Sequence, residues 1–290
     1  MNRIHRVTAI SLITSFLLSI ELFSFQSASA AGISIDAGLT PAENRWIFRS
    51  QVRYMQRDNE QSDSPGSMKA YMFPVVVAYG LRSDLAIMVR QAFIRREMTM
   101  MGQSSINSGL GDLLLLSKYR LIRINTPSYT LGIAPTLALE FPTGKDELSS
   151  NSYDLQFGSF FSGRMRSLGM DLNVTYIWNG MAETGDAVVD PGDEFSVQAA
   201  LAYQISLGDQ ANMALAPVLE ASYLNISSDS ENEAEVANTG ESILWLSPGF
   251  KFTWSSFIFE SLIQIPVWQD QEGLLIEREP TFLLGIRLMN

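Results

Sequence analysis

Hydrophobic side chains alternate with small or polar ones along most of this chain. The clearest example runs from Tyr129 to Phe141, where the odd positions are apolar or aromatic and the even positions are small or polar. Successive side chains of a β-strand point to opposite faces, so this pattern predicts one apolar and one wettable face. The stretch has thirteen residues. Strands of soluble proteins usually have about five or six, whereas a strand crossing a bilayer needs roughly 9–11.

Eleven further stretches share this alternation, which predicts about twelve strands within a range of roughly 10–14. They cover residues 45–56, 69–80, 84–97, 110–123, 153–165, 170–179, 194–207, 212–225, 242–254, 256–268 and 279–289. Short connections alternate with long ones, as in outer-membrane barrels with short periplasmic turns and long external loops. The predicted fold is therefore an all-β, transmembrane antiparallel β-barrel.

A soluble all-β fold is the alternative to this barrel. Strands of a soluble sandwich also alternate, but they are shorter and their outer face is polar. In lipid, every backbone group must pair within the protein, and only a closed sheet leaves no unpaired edge. The length of the stretches and the small residues on their second face favour the membrane barrel.

The first thirty residues have the features of a secretory signal peptide. Arg3 and Arg6 precede an apolar core over residues 7–18, and Ala28-Ser29-Ala30 is a small-residue cleavage site. An uncleaved anchor is disfavoured because the core is short. We predict a signal peptide over 1–30 cleaved after Ala30, a periplasmic lead-in over 31–43 and an outer-membrane barrel over 44–290.

The composition excludes several classes of function. The net charge is −11, there is no cysteine, and the single histidine is His5. An acidic chain lacks the basic surface that nucleic acid requires, so we expect no nucleic-acid partner. Because His5 falls in the predicted signal peptide, Ser-His or Cys-His catalysis and His-ligated zinc or haem are excluded from the mature chain. We therefore predict neither an enzyme nor a cofactor; a barrel enzyme such as a phospholipase or protease is disfavoured.

Acidic residues also cluster in two predicted loops. Residues 229–235 contain four of them, and Asp186, Asp190, Asp193 and Glu194 lie in or beside the other. They could hold calcium or magnesium, but no spacing matches the EF-hand ligand pattern. We interpret both clusters as solvated loops and predict no metal site.

Charged residues on the wettable faces of the strands are the candidate functional residues. An Arg or Lys that faces lipid at the bilayer centre costs ~2–4 kcal/mol, so these side chains must point inward. The lumen-lining candidates are Arg45, Arg49, Arg53, Lys118, Arg120, Glu140, Glu220, Glu260 and Arg287. Two interpretations stay open: a pore lining that orients solutes, or ion pairs that hold a plugged barrel.

Four short phrases near the middle of the chain resemble those of a known family. They are Leu110-Gly111-Asp112-Leu113, Lys118-Tyr119-Arg120, Leu139-Glu140-Phe141-Pro142-Thr143-Gly144 and Asp154-Leu155-Gln156-Phe157-Gly158. In these the chain is similar to the outer-membrane transporters called "MetA-pathway of phenol degradation" proteins. The resemblance implies a Gram-negative outer-membrane barrel that passes aromatic or hydrophobic compounds.

The sequence therefore leaves two functions open. The first is passive passage of small, hydrophobic or aromatic solutes, with outer-membrane lipid and a small-molecule solute as partners. The alternative is a structural or interaction barrel with a plugged lumen that acts through its acidic external loops. Occupancy of the lumen separates them.

Overall fold

The computed structural model describes residues 31–59, 66–100, 102–184, 187–207, 213–232, 234–236, 239–271 and 277–290. Within these residues, twelve long strands form one closed antiparallel barrel in which each strand pairs with the next in the chain. The last strand pairs with the first, from Ile47 opposite Met289 to Tyr54 opposite Phe282. The predicted all-β barrel of about twelve strands is confirmed.

The strands are labelled in chain order. They are β1 Trp46–Asn59, β2 Gly66–Gly80, β3 Leu85–Met100, β4 in three segments (Gln103–Leu110, Leu113–Tyr119 and Ile122–Asn125), β5 Tyr129–Phe141, β6 Asp154–Met165, β7 Leu168–Trp178, β8 Glu194–Tyr203 continued by Ile205–Ser206, β9 Met213–Ile226, β10 Glu241–Trp254, β11 Phe257–Gln271 and β12 Thr281–Met289. Glu277–Arg278 pairs with the far end of β1, and Asp146–Leu148 forms a 3₁₀ turn.

The alternation in the sequence sorts side chains between the outside and the inside of the barrel. Strand β5 has the predicted bounds, and its Leu131 and Leu137 are exposed while Ala134 and Thr136 are buried. Tyr129 lies at one end of this strand on the exposed face. An apolar outer face and a small or polar inner face are what a barrel in lipid requires. Among the described residues, no helix is long and apolar enough to span a membrane.

Three of the long connections between the predicted strands contain strands. Residues 98–109 are the tip of a hairpin, since β3 continues to Met100 and pairs with Gln103–Leu110. Gly102 makes the turn at a φ of 78°, in the left-handed region that glycine tolerates. The loops after β7 and β9 contribute four short strands to a second sheet, from Ala182–Thr184 to Ala234–Glu235. These stretches carry few large apolar residues, so alternation alone could not show them.

The segment before β1 lies inside the barrel. The sequence predicted a periplasmic lead-in over 31–43, whereas the structure buries Ala31, Ile33, Ile35, Ala37 and Leu39 against the inner wall. Burial of this apolar series removes it from water, which gives a physical reason for the inward path. From here on, the name lead-in refers only to residues 31–41 of the predicted segment 31–43. The predicted signal peptide, 1–30, lies outside the described residues.

Candidate functional site: the interior of the barrel

Two buried carboxylates hold the lead-in by its backbone N–H groups. Asp171 on β7 accepts from Ala31 and Gly32, and Glu220 on β9 accepts from Ile33 and from Ser34, whose N–H lies 3.0 Å away. The side-chain hydroxyl of Ser34 also donates to Glu220. Glu220 is completely buried. Buried carboxylates must be hydrogen-bonded to offset the loss of water, and the lead-in supplies these donors.

Polar groups on other strands hold the backbone carbonyls of the lead-in. Lys251 Nζ on β10 donates to Ala31 O at 2.6 Å, Lys118 Nζ on β4 donates to Ala37 O at 2.8 Å, and Gln51 Nε2 on β1 donates to Ile33 O at 3.2 Å. These contacts come from different parts of the wall. They fix the lead-in across the lumen.

The lead-in leaves the barrel at the end that carries the short turns. Gly38 N donates to Ser162 Oγ at 2.8 Å, and Thr40 Oγ1 donates to the carbonyl of Ser83 in the turn between β2 and β3. A Cβ at Gly38 would lie 2.3 Å from the Phe160 carbonyl oxygen, so only glycine fits. The lead-in thus fills the half of the lumen nearer the short turns.

A buried ion-pair cluster stands beside the lead-in. Glu260 on β11 lies 3.1 Å from Arg49 Nε on β1 and 2.5 Å from Arg287 Nη2 on β12, and its side chain is fully buried. Closure of the barrel brings the two arginines together, because Arg49 pairs with Arg287 across the β1–β12 seam. Two guanidiniums on one carboxylate leave this cluster with one excess positive charge.

The other candidates from the sequence form no ion pair with this cluster, and Arg53 is linked to it through Gln51, whose Nε2 donates to Glu260 Oε2 at 3.3 Å. Arg53 donates to Gln51 Oε1 from Nε at 3.1 Å and from Nη2 at 2.8 Å. Glu140 lies nearer the long loops and pairs with Arg90 at 3.3 Å. Arg45, which directly precedes β1, donates to Asn290 Oδ1 at 3.4 Å in an exposed contact.

Arg120 does not join the interior cluster. It falls between the last two segments of β4, where its backbone N–H donates to the carbonyl of Asp84. Among the nine candidates, the structure brings together Arg49, Glu260 and Arg287 directly. Lys118 and Glu220 are linked to each other only through the lead-in.

Several interior residues were not among the sequence candidates. Asp171 is fully buried and pairs with Arg164 at 2.9 Å, and Lys251 and Gln51 hold the lead-in. All occupy the wettable phase of their strands, which is the signal that could have found them. The lead-in groups that they bind lie at least 18 positions away in the sequence, so the pattern could not pair them.

One inner wall of the barrel is apolar. Residues directly opposite each other on paired strands share a face, and Arg49 faces Val76, which faces Arg90. This register places every second residue of β2 on the inner face. These residues and their apolar neighbours on β3 and β4, here called the apolar wall, are Met68, Ala70, Met72, Pro74, Val76, Ala78, Ala86, Met88, Ala92, Ile94, Leu114 and Leu116.

A small cavity separates the lead-in from the apolar wall. Its volume is about 60 Å³, and it is lined by Val76, Met88 and Leu116 on one side and by Arg49 and Arg287 on another. Asp36 and Leu39 of the lead-in also border it. Several water molecules would fit, since one needs ≳ 10–15 Å³. The cavity joins apolar surface to cationic surface.

The external rim is organised around Asp112, between the first two segments of β4. Its carboxylate accepts hydrogen bonds from Gly144 N and Ser150 N, both at 2.7 Å, and from Ser149 Oγ at 2.9 Å. Burial of the carboxyl opposes ionisation, but the backbone donors and the Ser149 hydroxyl outweigh it and lower the pKa of Asp112. Asp112 therefore ties the loop after β5 to the rim.

The acidic loops contact each other through the second sheet. Asp229 Oδ1 accepts from Gly192 N at 2.9 Å, and Val189 and Asp190 pair with Glu231 and Ser230. Asp186 and Glu233 lie outside the described residues. Within the described part of the chain, no three His, Asp or Glu side chains are grouped as a metal site would require.

Comparison of the sequence with family models gives one assignment. Residues 61–262 match the model of a family described as "Putative MetA-pathway of phenol degradation". The chain belongs to this family. The match covers more than half of the chain and includes β2 to β10 with the apolar wall. Comparison with curated protein sequences finds no match.

Comparison with solved structures identifies outer-membrane proteins that are similar to this chain. An outer membrane channel from Pseudomonas putida F1 superposes with a TM-score of 0.68 at 14% identity, covering 89% of this chain and all of that one. The autotransporter translocator domain of NalP from Neisseria meningitidis gives 0.49 at 11% identity, covering 87% and 90%. The CymD monoaromatic hydrocarbon channel gives 0.40 at 9%, covering 86% and 88%. The first match shows that the chain has the fold of an outer-membrane barrel.

Proposed function

We propose that this barrel provides passive passage across the outer membrane for small apolar solutes, including aromatic ones. The apolar wall is the observation that carries the proposal. The inner face of a water-filled porin is polar, whereas here every inward side chain of β2 from Met68 to Ala78 is apolar. Methionine supplies part of this surface, and its flexible thioether adapts to varied ligands.

The cavity beside the lead-in supports the same function. Its lining includes Val76, Met88 and Leu116 of the apolar wall, so an apolar molecule on that wall would reach it. Family membership is consistent with transport of aromatic compounds. The related CymD structure is described as a monoaromatic hydrocarbon channel, but its likeness to this chain is too low to carry the argument.

Uptake by intact cells tests this function. Gram-negative cells with intact lipopolysaccharide exclude the apolar dye N-phenyl-1-naphthylamine, which fluoresces once it reaches phospholipid. Cells that express the barrel are expected to take up the dye several-fold faster than cells with an empty vector. Equal rates, with the barrel shown to be folded by its heat-dependent gel shift, would overturn the proposal.

A pair of isosteric substitutions locates the path. Met72→Gln makes the apolar wall more polar, and Gln198→Met makes the opposite, polar wall of β8 more apolar. Met72→Gln is expected to slow dye uptake at least two-fold, whereas Gln198→Met leaves it unchanged or faster. Equal slowing by both variants would show that the apolar wall is not the path.

The plugged interaction barrel is the second candidate, and the lead-in is the observation that favours it. A lumen closed at the short-turn end passes few ions, and the second sheet gives the long loops a defined surface. Single-channel recording of the purified protein in a planar bilayer measures the passage of ions but not that of uncharged apolar solutes, so the dye assay is needed as well. Absent conductance together with absent dye uptake supports the interaction barrel.

A further inference from the structure

The middle of the lumen is positively charged although the chain as a whole carries a net charge of −11. Four guanidiniums face it, those of Arg49, Arg53, Arg90 and Arg287, against the carboxylates of Glu260 and Glu140. Four positive charges against two negative ones leave an excess of two. The groups around the lead-in add three cations, Lys118, Lys251 and Arg164, and three carboxylates, Asp36, Asp171 and Glu220, so the excess stays at two.

Arg53 is the member of this group without an acidic partner. Among the residues that the structure describes, no carboxylate oxygen lies within 4.0 Å of its guanidinium, whose hydrogen bonds go to the neutral amide of Gln51. Arg49 and Arg90 repel its charge, and Glu220 and Glu260 attract it from beyond ion-pair distance. Arg49 offers a further hydrogen-bond donor, because its Nη2 is buried and has no acceptor among the described residues.

The position of Arg53 combines this charge with an apolar surface. In the β1–β2 register Arg53 faces Met72 of the apolar wall, and on the other side it faces Leu283. Gln51, two residues nearer the short turns, holds the lead-in at Ile33. The guanidinium therefore lies just beyond the lead-in, towards the long loops. A solute that comes from the long-loop end would meet it before the lead-in.

We infer that the lumen takes monocarboxylates with an apolar body, that the Arg53 guanidinium binds the carboxylate, and that the apolar wall around Met72 receives the body. A guanidinium presents paired donors that match the two oxygens of a carboxylate. The excess positive charge favours an anion over a cation. This inference rests on the proposed passage function and specifies the solute class.

Binding to the protein in lipid nanodiscs tests the inference with three ligands of similar shape. Benzoate, benzamide and benzylammonium differ chiefly in charge, and calorimetric titration gives the affinity of each. We expect benzoate to bind at least ten-fold more tightly than benzamide, and benzylammonium more weakly than both. Equal affinity of benzoate and benzamide, or tightest binding of benzylammonium, would overturn the inference.

Variants of β1 assign the effect to Arg53. Arg53→Gln is expected to abolish the preference for benzoate over benzamide, whereas Arg53→Lys, which keeps the charge, retains most of it. Arg45→Gln is the matched control, because Arg45 directly precedes the same strand at its short-turn end and is exposed. Loss of the preference in Arg45→Gln, or its persistence in folded Arg53→Gln, contradicts the assignment.

The dye assay distinguishes this inference from the proposed function. If dye uptake is normal but benzoate shows no preference, the passage function stands and the anion site fails. If expression of the barrel does not raise dye uptake at all, the passage function itself fails. In that case benzoate binding, if present, belongs to a site without a transport role.

Discussion

At the scale of single residues, the interior is held by charges that have no access to bulk water. Glu260 is the centre of one such group, with Arg49 at 3.1 Å and Arg287 at 2.5 Å. A buried ion pair contributes little net stability compared with an apolar replacement, but removal of one partner leaves an uncompensated charge. The two arginines therefore depend on Glu260.

Glu260→Gln is expected to destabilise the barrel by about 3–5 kcal/mol, because it leaves Arg49 and Arg287 without a counter-charge. Urea unfolding in lipid vesicles, followed by tryptophan fluorescence, measures the change. Glu140→Gln is the matched control, since its pair with Arg90 is partly exposed and is worth about 0–1 kcal/mol. Similar losses in the two variants would show that burial of the cluster is not what matters.

At the scale of elements, strand β4 shows how a break in a strand organises a loop. The strand is interrupted at Gly111 and Asp112, and the carboxylate released from the sheet accepts hydrogen bonds from the loop after β5. Gly111 keeps the neighbouring strand attached, because its N–H donates to Ala92 O at 2.9 Å. The break therefore provides the point at which the loop is attached, and it does not open the barrel wall.

The lowered pKa of Asp112 predicts how the rim responds to acid. The folded state favours the carboxylate, so its contribution to stability is complete above the ordinary aspartate pKa of about 4 and is lost as pH falls through the lower folded value. The protection of the Gly144 and Ser150 amides, which is the intrinsic exchange rate divided by the observed rate at the same pH, should fall in the wild type only below about pH 4. In Asp112→Asn this protection should already be lost at pH 7; unchanged protection there would exclude the proposed role of the charge.

At the scale of the whole molecule, a segment outside the barrel strands occupies part of the lumen. The lead-in is held by Asp171, Glu220, Lys118, Lys251 and Gln51, which come from five different strands. Its release would expose several buried charges to water at once. The position of the lead-in in the lumen therefore depends on the assembled barrel and on no single strand.

Deletion of residues 31–40, with the predicted signal peptide 1–30 unchanged, is expected to raise single-channel conductance several-fold, because the lead-in fills the short-turn half of the lumen. Glu220→Ala is a milder variant that removes the acceptor of the Ile33 and Ser34 amides, and it should produce brief openings. Planar-bilayer recording measures both. Conductance equal to that of the wild type in folded deletion protein would show that the lead-in does not limit the passage.

The sequence by itself determined the fold, because strand alternation is local: each apolar residue in phase has to face lipid whichever strand pairs with it. The bounds of β5 and the inward phase of Arg49, Glu220 and Glu260 follow from that rule alone. The first segment of β4, Gln103–Leu110, was missed, since it has few large apolar residues. The alternation of Ile33, Ile35, Ala37 and Leu39 was too short to predict that this segment is buried inside the barrel.

Only the tertiary structure decided which charges meet and what fills the lumen. Arg49 and Arg287 stand 238 positions apart in the sequence, and they face each other because the barrel closes at the β1–β12 register. Glu220 and the Ile33 amide meet across the lumen over 187 positions. Such pairs depend on strand register, on closure of the barrel and on the path of the lead-in. The alternation of side chains predicts a strand but none of these three.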